Sequence, residues 1–267
     1  MNFLLLILAI LPVILICHYI YRKDKRKEPK GLLSKLFIFG ILSALLTLSL
    51  TAILQLIIPF FKINIQSINN DYFLLFIYVF IGVALIEELS KFLLVYWGSY
   101  NNKNFDELYD GMVYCVYVSL GFACFENILY ILGLAKESYL LGLQTALMRG
   151  IMSVPCHAFF AIFMGHFLGL AKYYQKKKNK KLERKNLLLS VLIPLLVHGL
   201  YDYVVFLGGG IYFSIVIVIV ILLYIYCIYT VKKISKQNKG IIQSNYCPIC
   251  GNRVDNTFCP KCGAKQN

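Results

Sequence analysis

Charge is scarce in this chain, and acid is scarcer still. Only 15% of the 267 residues are Asp, Glu, Lys or Arg, and 13 acidic residues stand against 27 basic ones. A soluble chain of this length carries about 25% charge, so a composition that is 59% hydrophobic with a mean hydropathy of +0.69 excludes an ordinary soluble domain. Histidine is rare, with four in all, and no H-E-x-x-H pair is present. That absence excludes a zinc-peptidase helix that supplies both histidines from adjacent turns, so any ligands must converge from separate helices. No inverted repeat and no matched pair of broken helices is apparent, which argues against a secondary transporter. The first apolar run has no basic segment ahead of it and no small-residue cleavage site. It is therefore expected to remain as a span and not to be removed as a signal peptide.

What is present reads as an all-α polytopic membrane protein with a small C-terminal zinc-ribbon module. Apolar runs at about 3–21, 36–59, 72–96, 111–133, 143–171, 187–206 and 211–230 are each long enough to cross a bilayer as helices. The formal charge of +14 is concentrated: residues 22–35 hold seven Lys/Arg, 172–185 hold eight and the tail after Val231 holds seven, whereas loops 60–71, 134–142 and 207–210 hold only Lys62 and Lys136. This asymmetry predicts an N-terminus outside and a C-terminus in the cytoplasm of a multi-pass cell-membrane protein, with the charge lying against anionic lipid and not against nucleic acid. The single tryptophan, Trp97, suits an interfacial anchor at the end of the third run. The expected organisation is a transmembrane domain over 1–230, a basic linker over 231–245 and a four-cysteine ribbon over 246–264.

The third run contains Glu87, Glu88 and Lys91. A charge at the middle of a membrane helix costs roughly 2.5–3.5 kcal/mol, so three within five residues need a reason. At about 100° per residue they share one face, with Lys91 between the carboxylates. The alternatives are a packing ion pair and a buried active site. The fourth run places Ser119, Phe122, Glu126 and Tyr130 on one stripe, with Asn127 beside it. The fifth carries Arg149, which suits either an interfacial anchor or a substrate clamp, and His157 two residues after Pro155, whose missing N–H can kink the helix. The sixth pairs His198 with Asp202 one turn on, a spacing that lets the carboxylate fix the imidazole tautomer. Counted from the cytoplasmic end of each run at ~1.5 Å per residue, Glu87 lies about 14 Å deep, His198 about 16, His157 about 21 and Glu126 about 22. One layer near mid-membrane can hold all four.

Cys247-Pro248-Ile249-Cys250-Gly251 and Cys259-Pro260-Lys261-Cys262-Gly263 form two C-P-x-C-G knuckles. Each turn presents two thiolates, and together they complete a tetrahedral structural zinc site with no open position. The ribbon's partner, protein or nucleic acid, is unspecified by its residues.

In order, these motifs resemble the PrsW family of intramembrane proteases, distant relatives of the CAAX prenyl endopeptidases. The matching residues are E-E-x-x-K at Glu87, Glu88 and Lys91, then Asp110-Gly111, S-L-G-F-A-x-x-E-N from Ser119 to Asn127, Arg149 with P-x-H at Pro155 to His157, and H-x-x-x-D at His198 and Asp202. They span residues 72–206 and leave the ribbon unexplained. The resemblance implies hydrolysis of a peptide bond in a membrane-protein substrate, with an anti-sigma factor as one such substrate. It carries Glu87, Glu88, His157 and His198 over as catalytic residues, with Lys91, Glu126, Asn127, Arg149 and Asp202 in support. Two mechanisms stay open: water activated by a Glu87/Glu88 carboxylate alone, or a catalytic metal held by histidines and Glu126. The rivals are a transporter built on the same buried charges and a receptor or scaffold whose ribbon recruits a partner.

Overall fold

The computed structural model describes residues 3–68, 70–237, 258, 261 and 262. Within them, seven helices are long and apolar enough to cross a membrane: α1 Phe3–Lys23, α2 Lys30–Ile57, α3 Tyr72–Ser99, α4 Leu108–Ala135, α5 Tyr139–Lys176, α6 Lys180–Leu207 and α7 Gly210–Ser235. The expected ribbon falls on Cys247, Cys250 and Cys259, which lie outside the described residues; Cys262 is exposed in a turn.

Several helices start earlier than hydropathy alone predicts, because polar residues continue them past the apolar run. The Pro29 carbonyl accepts from Leu32 and Leu33 N–H and opens α2 at Lys30. Asp110 closes a capping box with Glu107 that starts α4 at Leu108, and the Asn179 side chain caps α6 through the Leu182 N–H.

Burial sorts the helices into layers. The apolar windows of α4 and α5 are 61% and 67% buried, against 22% for α1 and α2 and 17% for α7. The α4–α5 pair is therefore the centre, and the outer helices present their side chains to lipid. Glycine permits the close approach: a Cβ on Gly165 of α5 would collide with the Gly111 carbonyl and Met112 Cα of α4. On the other side of α4, Gly121 packs in the same way against the Phe37 carbonyl and Gly40 of α2.

Two helices are locally underwound into π-helix, at Tyr78–Leu85 in α3 and Arg149–Ser153 in α5. Each segment ends just before a polar cluster, at Glu87 and at His157. In α5 the cause is visible, since Pro155 has no N–H to return to the carbonyl four residues earlier.

The three basic segments meet at one end of the bundle. Arg26 pairs with Asp106, Tyr100 donates to Glu183, the Lys172 ammonium donates to the Tyr100 carbonyl, and Ser235 donates to the Lys23 carbonyl. Trp97 lies near this end, exposed and stacked on Phe39 with ring centroids 5.4 Å apart.

Candidate active site

The sequence-predicted polar residues of α3, α4, α5 and α6 converge into one cluster. Lys91 is at its centre. Its ammonium lies 3.1 Å from Glu87 Oε2, 2.8 Å from Glu88 Oε1 and 3.2 Å from His157 Nδ1, so its three protons meet three acceptors. Phe122 lies beneath it, with Nζ 4.1 Å from the ring centroid. Glu87, Glu88 and Lys91 do share a face of α3, as their spacing requires.

His157 accepts from Lys91 on Nδ1, so its proton sits on Nε2, 3.0 Å from Glu126 Oε2. The same Glu126 oxygen accepts from Arg149 Nη2 at 2.7 Å, and Arg149 Nε donates to Asn127 Oδ1 at 2.7 Å. Asn127 in turn donates to the Ala9 carbonyl, which ties this corner to α1. Arg149 therefore points into the bundle, over the Tyr130 ring, and is not an anchor reaching for the interface. The expected stripe on α4 is intact: Ser119 donates to the His157 carbonyl, Phe122 faces the His157 ring, and Glu126 and Tyr130 continue along it.

His198 is held at both nitrogens. Nδ1 lies 2.9 Å from Glu88 Oε1, and Nε2 lies 3.2 Å from Asp202 Oδ2 and 4.0 Å from Glu87 Oε2. Asp202 was legible from its spacing, whereas the Glu88 partner was not, because it comes from another helix. Phe160, stacked on His198 at 4.7 Å, was also missed; its one signal is its place a turn beyond His157.

The two adjacent glutamates differ in what they face. Glu88 is fully buried, engaged by Lys91 and His198. Glu87 opens onto a cavity of about 510 Å³ that is also lined by Glu126, Arg149, His157, His198 and Asp202. A second cavity of about 210 Å³, lined by Thr47, Thr51 and Tyr78 among others, reaches Glu87 and Glu126 from the α2 side. The two cavities share Glu87 and Glu126 in their linings.

The structure thus holds a buried carboxylate–imidazole–ammonium cluster beside an internal cavity in a bundle of seven helices long and apolar enough to cross a membrane, a setting that suits a membrane-embedded enzyme. Comparison with known proteins gives the family. A family model described as PrsW family intramembrane metalloprotease matches residues 28–227, and the chain belongs to that family; it is an intramembrane protease. It is 36% identical to Protease PrsW of Oceanobacillus iheyensis over 229 residues, covering 85% of this chain and 94% of that protein. It is 32% identical to Protease PrsW of Clostridioides difficile over 243 residues (90% and 95%), and 32% identical to that of Bacillus subtilis over 197 residues (73% and 80%). No solved structure matches the chain.

The family's description as metalloproteases raises the question of a metal. Glu87, Glu88 and His157 each offer a ligand atom within 4.8 Å of the others. Among the described residues of this cluster the ligand atoms that lie this close come from one histidine and two carboxylates, while His198 Nδ1 and Nε2 lie 2.9 and 3.2 Å from Glu88 and Asp202. That set surrounds the Lys91 ammonium, which donates a hydrogen bond to each of its three members. A divalent cation and a buried ammonium cannot share that space, so the residues as arranged do not fit a catalytic metal at this point.

Proposed function

We propose that this protease cleaves its substrate with a water activated by Glu87, with Lys91 occupying the position a metal would need. The supporting observation is the division of labour between the adjacent carboxylates: Glu87 lines the cavity, while Glu88 is sealed behind it. A desolvated carboxylate is a stronger base than one in water. A water bridging Glu87 Oε2 and His198 Nε2, which stand 4.0 Å apart, gives its proton to Glu87 and attacks the scissile carbonyl. Arg149, which keeps N–H groups beyond those bonded to Glu126 and Asn127, polarises that carbonyl oxygen as it becomes an oxyanion, and the His157 Nε2–H turns from Glu126 to the same oxygen in that state. Glu87 then returns the proton to the departing amide nitrogen, so that the C–N bond breaks and the base is restored. Glu88 and Asp202 act as positioning residues, holding Lys91 and His198.

The substrate is a membrane protein, and an anti-sigma factor is the class the family resemblance supports. The basic end of the bundle, and the C-terminus, are assigned to the cytoplasm on the Lys/Arg asymmetry. A zinc ion belongs to the four tail cysteines as a structural ligand set. The test compares membrane-protein fragments in cells carrying the wild-type chain and Glu87→Gln. Fragments that vanish with Glu87→Gln support the reading; an unchanged fragment pattern sinks it.

A further inference from the structure

A second acidic cluster lies well apart from the active site, where the α1–α2 loop meets the start of α4 at the basic end of the bundle. Asp106 and Glu107 there pair with Arg26, at 2.6 and 3.2 Å. Three more carboxylates stand beside them: Asp24, Glu28 and Asp110, all buried, each with an oxygen within 4.8 Å of the others.

Each of these three is oriented through one oxygen by a fixed donor. Asp24 Oδ1 accepts from the Arg26 N–H at 3.0 Å, Asp110 Oδ2 accepts from the Asp106 and Glu107 N–H groups at 2.9 and 2.7 Å, and Glu28 Oε2 accepts from the Tyr114 hydroxyl at 2.6 Å. The remaining oxygens of the two aspartates, Asp24 Oδ2 and Asp110 Oδ1, are buried without a hydrogen-bond partner. The adjacent ammonium of Lys27 donates to the Tyr21 and Asp24 carbonyls instead. Buried carboxylate oxygens are paired or coordinate metals, because an unpaired one forfeits its hydration. Carboxylates held by hydrogen bonds to one oxygen while the other is left open are what a preformed coordination site requires.

We propose that Asp24, Glu28 and Asp110 form a binding site for a hard divalent cation of the Mg²⁺/Ca²⁺ class. All three donors are anionic oxygens, with no thiolate or imidazole among them, which selects against zinc and copper. Oxygens that all lie within 4.8 Å of one another are close enough to share one such ion, at bond lengths of about 2.3–2.6 Å for Ca²⁺ or about 2.0–2.1 Å for Mg²⁺, with water in the other positions. The contrast with the active site is chemical, since there Lys91 already supplies the cation among the acceptors. A bound ion would fasten the α1–α2 loop to the first turn of α4, where Gly111 packs onto α5. Its competitor is the proton. Burial, then the charges of Asp24, Asp106 and Glu107, push the Glu28 carboxyl up to about 7 against the hydrogen bond from Tyr114.

The experiment uses the full-length protein in detergent, stripped with a chelator and titrated with MgCl₂ or CaCl₂ against NaCl of equal ionic strength. The expected result is a saturable rise in the unfolding temperature with either divalent ion and none with NaCl. Asp24→Asn, which preserves size and the Arg26 contact, should lose that rise, and Glu28→Gln provides the same test should Asp24→Asn not fold. Glu87→Gln should keep it. The proposal is overturned if the wild type shows no saturable rise, which would leave a protonated cluster only. It is equally overturned if both loop variants retain the rise, or if Glu87→Gln alone abolishes it.

Discussion

Lys91 Nζ lies 3.2 Å from His157 Nδ1, so an ammonium on α3 meets an imidazole on α5 at the centre of the site. That contact fixes the imidazole proton on Nε2, towards Glu126, and gives Lys91 a third acceptor beyond its two helical neighbours. Replacing Lys91 by Met would leave three buried acceptors without their common donor. Breaking a buried ion pair by removing one partner costs about 3–5 kcal/mol, so Lys91→Met should lower the unfolding temperature and abolish cleavage. Wild-type thermal stability in Lys91→Met would show that the ammonium is not the hub.

The adjacent glutamates should separate in their kinetics. Glu87→Gln removes the base and should cost at least about 10²-fold in kcat with little change in KM. Glu88→Gln keeps the base but weakens its grip on Lys91 and His198, so it should lose stability as well as rate. Equal stabilities with equal kcat losses would undo the assignment of separate roles.

How much of this was legible in the sequence depended on whether a relationship was local. Glu87, Glu88 and Lys91 lie within one helical turn, and His198 and Asp202 are four apart, so backbone geometry alone put each set on one face. The convergence in depth followed from counting residues. The pairing of Glu88 with His198 was hidden, because tertiary packing and not spacing decides which acid of an adjacent pair faces which helix. The π-helical segment in α5 had a signal in Pro155; the one in α3 had only Gly82, against which the Phe61 ring packs. The acidic cluster of Asp24, Glu28 and Asp110 joins positions far apart in the chain. Asp110 accordingly stood in the sequence only as part of the Asp110-Gly111 motif, with no partner assigned to it.

The glycine contact between α4 and α5 positions Glu126 against His157. A leucine at Gly165 would have to displace the backbone of α4 at Gly111 and Met112. Gly165→Leu should therefore reduce folded protein recovered from membranes and abolish cleavage, although the residue lies outside the polar cluster. Gly133→Leu, where a Cβ meets open space, is the matched control and should be tolerated. Comparable losses in both would remove the packing argument.

Stability should depend on pH through the loop acids. Glu28 sits among Asp24, Asp106, Glu107, Asp110, Arg26 and Lys27, and its folded carboxyl is raised from 4.5 to about 7, mainly by burial. The folded state thus holds a proton that the unfolded chain has already released. Stability from this group is present in full below pH 4.5 and is lost as pH rises through about 7. In chelator-treated protein, unfolding temperatures should fall across that window, and Glu28→Gln should flatten the fall. An identical slope in Glu28→Gln would locate the titration elsewhere.

The last prediction separates metal from metal-free catalysis, and the tail complicates it. Zinc counted on the whole chain would be found whether or not the membrane site holds any, because four thiolates alone should bind one ion. The protein to test is therefore the full-length chain with Cys247, Cys250, Cys259 and Cys262 all changed to Ser. With Lys91 filling the space among Glu87, Glu88 and His157, this variant should contain no stoichiometric zinc and should keep its cleavage activity in the presence of a chelator. Adding Lys91→Met to it exposes the same three ligand atoms without the ammonium, so zinc binding should appear where there was none, even if cleavage does not return. The opposite pattern would be one zinc per chain in the four-serine protein, with activity lost to the chelator and regained with zinc. That result would mean Lys91 swings aside for a metal in the working enzyme, and the Glu87-only mechanism would fall.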